Sequence, residues 1–211
     1  MISAEAIRWL DKFRDENLKS KEENKEIIVC TPFTLLSLFK DYKERNGLKF
    51  ELGAQDISRF PQGPYTGEIN GAQIKDFANY VLVGHSERRG SFGEDESVIH
   101  EKIKMAIDYN LTPILFVQSK ETPIPQGVDV VVYEPPSAIS TVSGGVPDNS
   151  IDVTKAVEAI RKKYSLKYVL YGGSVDSNNV SNFTKIPEID GVVPGRASLD
   201  PVEFFKIIKN A

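Results

Sequence analysis

Apolar residues alternate along this chain between two rhythms. Short β-branched runs, such as Ile27-Ile28-Val29, Val81-Leu82-Val83 and Val130 to Tyr133, read as strands buried on both faces. Between them lie longer stretches with apolar residues three and four apart, as helices require. This reading predicts strands near 26–30, 49–54, 79–84, 113–117, 128–133, 167–171 and 189–193. It predicts helices over 3–18 (Ile7, Leu10, Phe13), up to about 46, 71–77, 95–109, 151–164, 176–184 and 201–209. The clearest stripes are Ile99, Ile103, Ala106 and Ile107, and Val153, Ala156, Val157 and Ile160. Thr31-Pro32 is read as the cap and first turn of the second helix.

Strands alternating with helices predict βαβ units and a parallel sheet of seven strands. Residues 55–70 (QDISRFPQGPYTGEIN) hold the glycines and prolines of a long functional loop. Residues 118–127 are too few and too proline-rich for a crossover helix, so that link must be tight and non-helical. No linker or composition break divides residues 1–211, which are read as one domain.

Composition narrows the function classes. Hydrophobic residues make up 40% of the chain, enough for a sizeable core, and the net charge is −4 with basic residues scattered. No nucleic-acid footprint or polybasic membrane patch stands out, and no apolar run approaches a membrane span. The single cysteine, Cys30, ends an apolar run and reads as a core thiol. A reducing cytoplasm is the expected compartment.

The chemistry concentrates at strand ends. The run Tyr80 to Val83 ends in Gly84 and is followed at once by His85-Ser86-Glu87-Arg88-Arg89; His85 is one of two histidines. His100 lies mid-helix beside Glu101 and reads as a surface residue. Glu134 ends the apolar run Val130–Tyr133 and precedes Pro135-Pro136. By residue type alone, Glu134 is a base or a solvated acid, and His85 is a site residue or a structural one. Glu87 either belongs to a polar network around His85 or pairs with Arg88 or Arg89. Gly172-Gly173-Ser174 and Gly195-Arg196-Ala197 follow the last two strands, where small residues let backbone N–H groups approach an anion.

Five blocks carry a family resemblance: His85 to Arg89; Gly53-Ala54-Gln55 with Thr66-Gly67-Glu68-Ile69; Tyr133-Glu134-Pro135; Tyr171 to Val175; and Asp190-Gly191-Val192 with Gly195 and Ala197-Ser198-Leu199. Taken in chain order and at their spacing, these blocks resemble the triosephosphate isomerase family over about residues 25–211. The resemblance implies a TIM (β/α) barrel, here incomplete or open, with about seven recognisable parallel strands. It implies interconversion of dihydroxyacetone phosphate and glyceraldehyde 3-phosphate through an enediolate, in glycolysis and gluconeogenesis, with no cofactor and no metal. Glu134 would be the base, His85 an uncharged electrophile, and Glu87 part of their polar network. An uncharged ring suits a helix N-terminus. Ser140, Ser174, Gly195 and Arg196 would contact the substrate phosphate. Pro135, Pro136, Ser137, Ala138, Ile139, Ser140 and Thr141 would begin a water-excluding lid, a device for which this family is a standard example. A homodimer through loop 55–68 is expected, and partners of nucleic-acid or membrane type are not.

The chain also departs from that pattern. The family opens with a strand ending in Asn-x-Lys, whereas this sequence runs from Met1 straight into its first helix. Met1 as an internal methionine, a natural or engineered truncation, and replacement of the lysine by another cation all remain open. Arg196, where the family commonly has glycine, is the candidate cation; a surface ion pair is the competing reading. Without a first strand, the sheet edges at 26–30 and 189–193 are expected to lie unpaired, unless another segment fills the gap. An alternative function follows: an impaired member acting as a phosphate-ligand-binding or regulatory protein. A third is another lyase or isomerase of a sugar phosphate.

Overall fold

The computed structural model describes residues 1–19, 25–138 and 150–211. Seven short segments form strands: β1 (Ile28–Thr31), β2 (Glu51–Ala54), β3 (Tyr80–Val83), β4 (Thr112–Val117), β5 (Val130–Tyr133), β6 (Tyr168–Gly173) and β7 (Gly191–Pro194). The described helices are α1 (Ser3–Lys19), α2 (Leu36–Asn46), α3 (Gly71–Lys75), α4 (Ser86–Phe92), α5 (Glu96–Asp108), α6 (Ser150–Lys163), α7 (Val180–Thr184) and α8 (Pro201–Asn210). The strands form one sheet in the order β1 to β7, with every neighbouring pair parallel. Among the described residues β1 and β7 share no ladder, so the barrel is open along one seam.

Successive strand residues face opposite sides. Ile114, Phe116, Val130 and Val132 point into the barrel and make a small inner core, ringed by half-buried Ile28, Tyr80, Leu82, Leu170 and Val193. Their neighbours Leu115, Val117, Val131 and Val169 point outward and join the larger core under the helices. All four residues of β5 are buried, whereas all four of the edge strand β7 are only half-buried.

The open seam is covered from outside. α1 buries Ala6, Trp9, Leu10 and Phe13 and packs against α8 and α2. Trp9 stacks on Phe13 at 5.0 Å, and Phe13 meets Phe50 and Phe205 edge-on at 5.7 and 5.8 Å. Lys25 donates to the carbonyl of Ile208 at 2.6 Å, tying the approach to β1 to the end of α8. These contacts join the two edges of the sheet without a backbone ladder between them.

Three local readings are corrected. Ile7 and Ile107 are exposed, although both were placed on buried stripes; Ala6 and Trp9 complete the buried face of α1 instead. Thr31 remains in β1 and does not cap α2; a 3-10 turn over Phe33–Leu35 intervenes, and the N-cap, Leu35, makes no side-chain bond. The helix expected over 176–184 is limited to Val180–Thr184, because the Asp176 carboxylate takes up the amides of Asn178 and Asn179 in a turn. The link between β4 and β5 is helix-free, closed by a turn in which Thr122 donates to the Ser119 carbonyl at 3.2 Å.

Because Phe13 is fully buried where α1, α2 and α8 converge, Phe13→Ala is expected to destabilise the fold by about 3–5 kcal/mol. Urea unfolding measures this; a loss below about 1 kcal/mol contradicts the bridging role of α1.

Candidate active site

Glu134 directly follows β5, and its amide donates to the carbonyl of Val117 at 2.9 Å, extending the ladder with β4. Its side chain is therefore fixed at the C-terminal end of a strand buried on both faces, and the residue is only 6% exposed. Gly84 leaves β3 with φ +73°, a left-handed conformation that glycine tolerates and that turns the chain into His85. His85 is the N-cap of α4. Its Nε2 stands 3.4 Å from Oε1 of Glu134, and the Ser86 amide donates to Oε2 at 3.1 Å.

The imidazole is held from both sides. Its Nδ1 accepts the Glu87 amide at 3.3 Å, so in the uncharged ring the proton lies on Nε2, the nitrogen facing Glu134. The ring packs edge-on against Phe116 at 4.8 Å. Burial raises the Glu134 carboxyl above its ordinary range; the His85 ring and Ser86 pull it down, and Glu87 adds to the rise. The site thus holds a poorly hydrated carboxylate against a hydrogen-bonding imidazole.

Glu87 stays near His85, its Oε2 3.9 Å from Nδ1. Arg88 and Arg89, the alternative partners for Glu87, are engaged elsewhere. Arg88 meets Asp56 at 3.1 Å and Glu94 at 2.6 Å. Arg89 binds Glu96 and donates to the carbonyls of Gly84 (2.8 Å) and Phe116 (3.2 Å), clamping the ends of β3 and β4. Lys102 completes a buried network with Asp56 and Glu94 at 2.5 and 2.6 Å. Burial raises the Asp56 carboxyl despite Lys102 and Arg88. This network, not anticipated from the sequence, pins the start of loop 55–70 to α4 and α5.

The two glycine turns lie side by side, since Gly173 pairs with Pro194 across β6 and β7. A Cβ on Gly172 would come within 2.6 Å of Val132 and 3.7 Å of the Glu134 Cβ, so only glycine fits beside the carboxylate. The Ser174 hydroxyl donates to the carbonyl of Ala138 at 3.0 Å. Ala138 ends a 3-10 turn over Pro136–Ala138 that continues Pro135 away from Glu134; Ser137 lies within it. Ile139, Ser140 and Thr141 lie outside the described residues. Gly195 and Arg196 are exposed at the end of β7, and nothing lies within 4 Å of a Cβ built on Gly195. Among the described residues no carboxylate pairs with the Arg196 guanidinium.

Sequence reasoning missed Ser86 as an amide donor, Phe116 as the wall behind the imidazole, and Gly172 as the space beside Glu134. Only the paired glycines gave a signal. No group of three or more His, Cys, Asp or Glu among the described residues is arranged to hold a metal ion. No described helix is long and apolar enough to cross a membrane.

A parallel α/β barrel carrying an acid, an imidazole and two small-residue turns at the C-terminal ends of its strands defines a class of barrel enzyme. The comparisons specify it further. The family model described as triosephosphate isomerase matches residues 2–211. A triosephosphate isomerase of Picosynechococcus is 38% identical over 209 residues, covering 88% of this chain and 85% of the relative. One from Dictyoglomus thermophilum is 35% identical over 240 residues, covering 98% and 94%. The crystal structure of triosephosphate isomerase from Bartonella henselae superposes with a TM-score of 0.79 at 25% identity, covering 97% of this chain and 94% of that one. The chain belongs to the triosephosphate isomerase family and is an isomerase.

The raised Glu134 carboxyl carries a sign for stability. Its folded value lies above its ordinary value of 4.5, so the native state holds the extra proton and stability falls as pH rises through that window. Glu134→Gln removes this effect. Its melting temperature is expected to exceed that of wild type at pH 7–8 and to converge with it at pH 4 and below. Thermal melts across pH test this, and an equal or lower melting temperature for the variant at pH 8 contradicts it.

Proposed function

We propose that the chain interconverts dihydroxyacetone phosphate and glyceraldehyde 3-phosphate by a proton-transfer mechanism without metal or cofactor. The observation that carries this is the 3.4 Å approach of His85 Nε2, after β3, to a buried Glu134, after β5. Glu134 takes the proton from the carbon beside the carbonyl, leaving an enediolate. Its burial supports this: a carboxylate stripped of water, with its carboxyl raised, is the stronger base. The Nε2–H of His85 donates to the carbonyl oxygen, where negative charge develops, and relays protons between the two oxygens. Glu87 holds the ring through its main-chain amide.

The phosphate would lie over the turns after β6 and β7, on main-chain N–H groups at Ser174 and Gly195, with Arg196 adding charge. The exposure of Arg196 at the end of β7 supports that assignment. Residues from Pro135 onward would form the lid, with Ile139, Ser140 and Thr141 closing over the site together with Ser137 and Ala138. Loop 55–68 would form the homodimer contact; Phe60 stacked on Tyr65 at 4.3 Å makes it a stiff projection suited to that. The cytoplasm is the compartment that fits such an enzyme with one cysteine. The non-catalytic reading gains no support from a site whose acid and imidazole stand together.

A coupled assay tests the proposal. Glu134→Gln is expected to lower kcat by about 10²–10⁴-fold with KM little changed, and His85→Gln to lower it by about 10²-fold or more. Unaltered turnover in either variant rejects the assigned role. Arg196→Gly is expected to raise KM for the triose phosphate about 5–10-fold, more at low salt than at high; an unchanged KM rejects Arg196 as a phosphate contact.

A further inference from the structure

We infer that Trp9 is a positioning residue for substrate phosphate, acting through the turn after β7. This rests on the placement of the phosphate at Ser174 and Gly195 proposed above. The turn is mechanically unusual in this fold. β7 pairs with β6 on one side only, and among the described residues no ladder supports its other side. All four β7 residues are half-buried, and Gly195 and Arg196 beyond them are exposed. A strand end with one neighbour is free to swing, and a swinging turn does not present its N–H groups at a fixed place.

The turn packs against α8, and a side-chain hydrogen bond from α1 restrains it from outside the sheet. The indole Nε1–H of Trp9 donates to the carbonyl of Ser198 at 2.9 Å, a contact spanning 189 positions of sequence. Ser198 closes the turn itself, since both its amide (3.1 Å) and its hydroxyl (2.6 Å) donate to the carbonyl of Gly195. Holding Ser198 therefore holds Gly195 and Arg196. Trp9 is a rigid anchor for this purpose. It is 5% exposed, stacked on Phe13 at 5.0 Å, and flanked by Phe39 and Phe204 at 5.8 and 6.0 Å. The helix that bridges the open seam thus also supplies the lateral restraint that a further strand would give. A buried indole N–H requires an acceptor, and the one it takes here is the carbonyl of the residue that closes the turn after β7.

Trp9→Phe keeps an aromatic ring and removes the donor. The expected result is a rise of about fivefold in KM for triose phosphate and in the inhibition constant of inorganic phosphate, with kcat within about twofold of wild type. Phe39→Leu loosens the same aromatic cluster without touching the donor; it is expected to lower the melting temperature and leave both constants unchanged. Trp9→Phe with wild-type constants overturns the inference, and so do equal rises in both variants, since they signal general loosening. If Trp9→Phe does not fold, replacing Trp9 by 3-benzothienylalanine, which keeps the shape and lacks the N–H, gives the same readout. A parallel arm isolates the underlying reading: inorganic phosphate titrated into the ¹⁵N-labelled wild-type protein should shift the amide signals of Ser174 and Gly195. Unshifted amides remove the phosphate from these turns, whatever Trp9→Phe does. Shifted amides beside wild-type constants in Trp9→Phe remove Trp9 alone.

Discussion

A carboxylate held out of water beside an imidazole is the constraint around which this molecule is arranged. Glu134 loses most of its hydration by following a strand whose four residues are all buried. Two things make that placement tolerable: the Ser86 amide bonded to Oε2 and the His85 ring near Oε1. Both partners come from the turn after β3, so the site requires β3 and β5 to end at the same level. The ladders of β3 with β4 and of β4 with β5 set that level, and Arg89 clamps the ends of β3 and β4 through two carbonyls. A stability cost at the reacting group is a common feature of sites that do proton chemistry.

The open seam poses the opposite problem. β1 and β7 lack a common ladder, and the half of the site attributed to phosphate lies at the end of β7. The carboxylate–imidazole pair, by contrast, lies well inside the sheet, after strands with neighbours on both sides. The fold therefore divides its functional groups between a rigid interior and a weakly supported edge. α1 compensates with an aromatic cluster and one aimed hydrogen bond. Under the proposed assignment, substrate affinity is the property most exposed to changes in α1, and the chemical step the property most exposed to changes in β3 to β5.

Much of the fold is legible because most strands are short apolar runs set between helical stripes, and each of the seven lies within a few residues of its expected place. Helix ends were less legible. Thr31-Pro32 has the composition of a cap, but Thr31 pairs with Ala54 in the sheet and the helix starts later. Ile7 and Ile107 fit helical stripes yet face solvent, because tertiary neighbours and not spacing decide which side of a stripe is covered. At the site, His85 and Glu134 could be named from motif blocks that end strands. Ser86, Phe116 and Gly172 could not, since an amide direction, a ring wall and a missing Cβ have no compositional signature. The Asp56–Arg88–Glu94–Lys102 network joins four residues from separate elements, and nothing local marks them as partners.

The most direct measurement is hydrogen exchange at carbon. Dihydroxyacetone phosphate incubated with the protein in D₂O and followed by NMR reports proton abstraction alone, independent of the later steps. The account predicts deuterium appearing at the carbon beside the carbonyl with the wild-type protein, and loss of that incorporation by two orders of magnitude or more, on the order expected for a general base, with Glu134→Gln. Incorporation by Glu134→Gln at the wild-type rate would place the base elsewhere and contradict it.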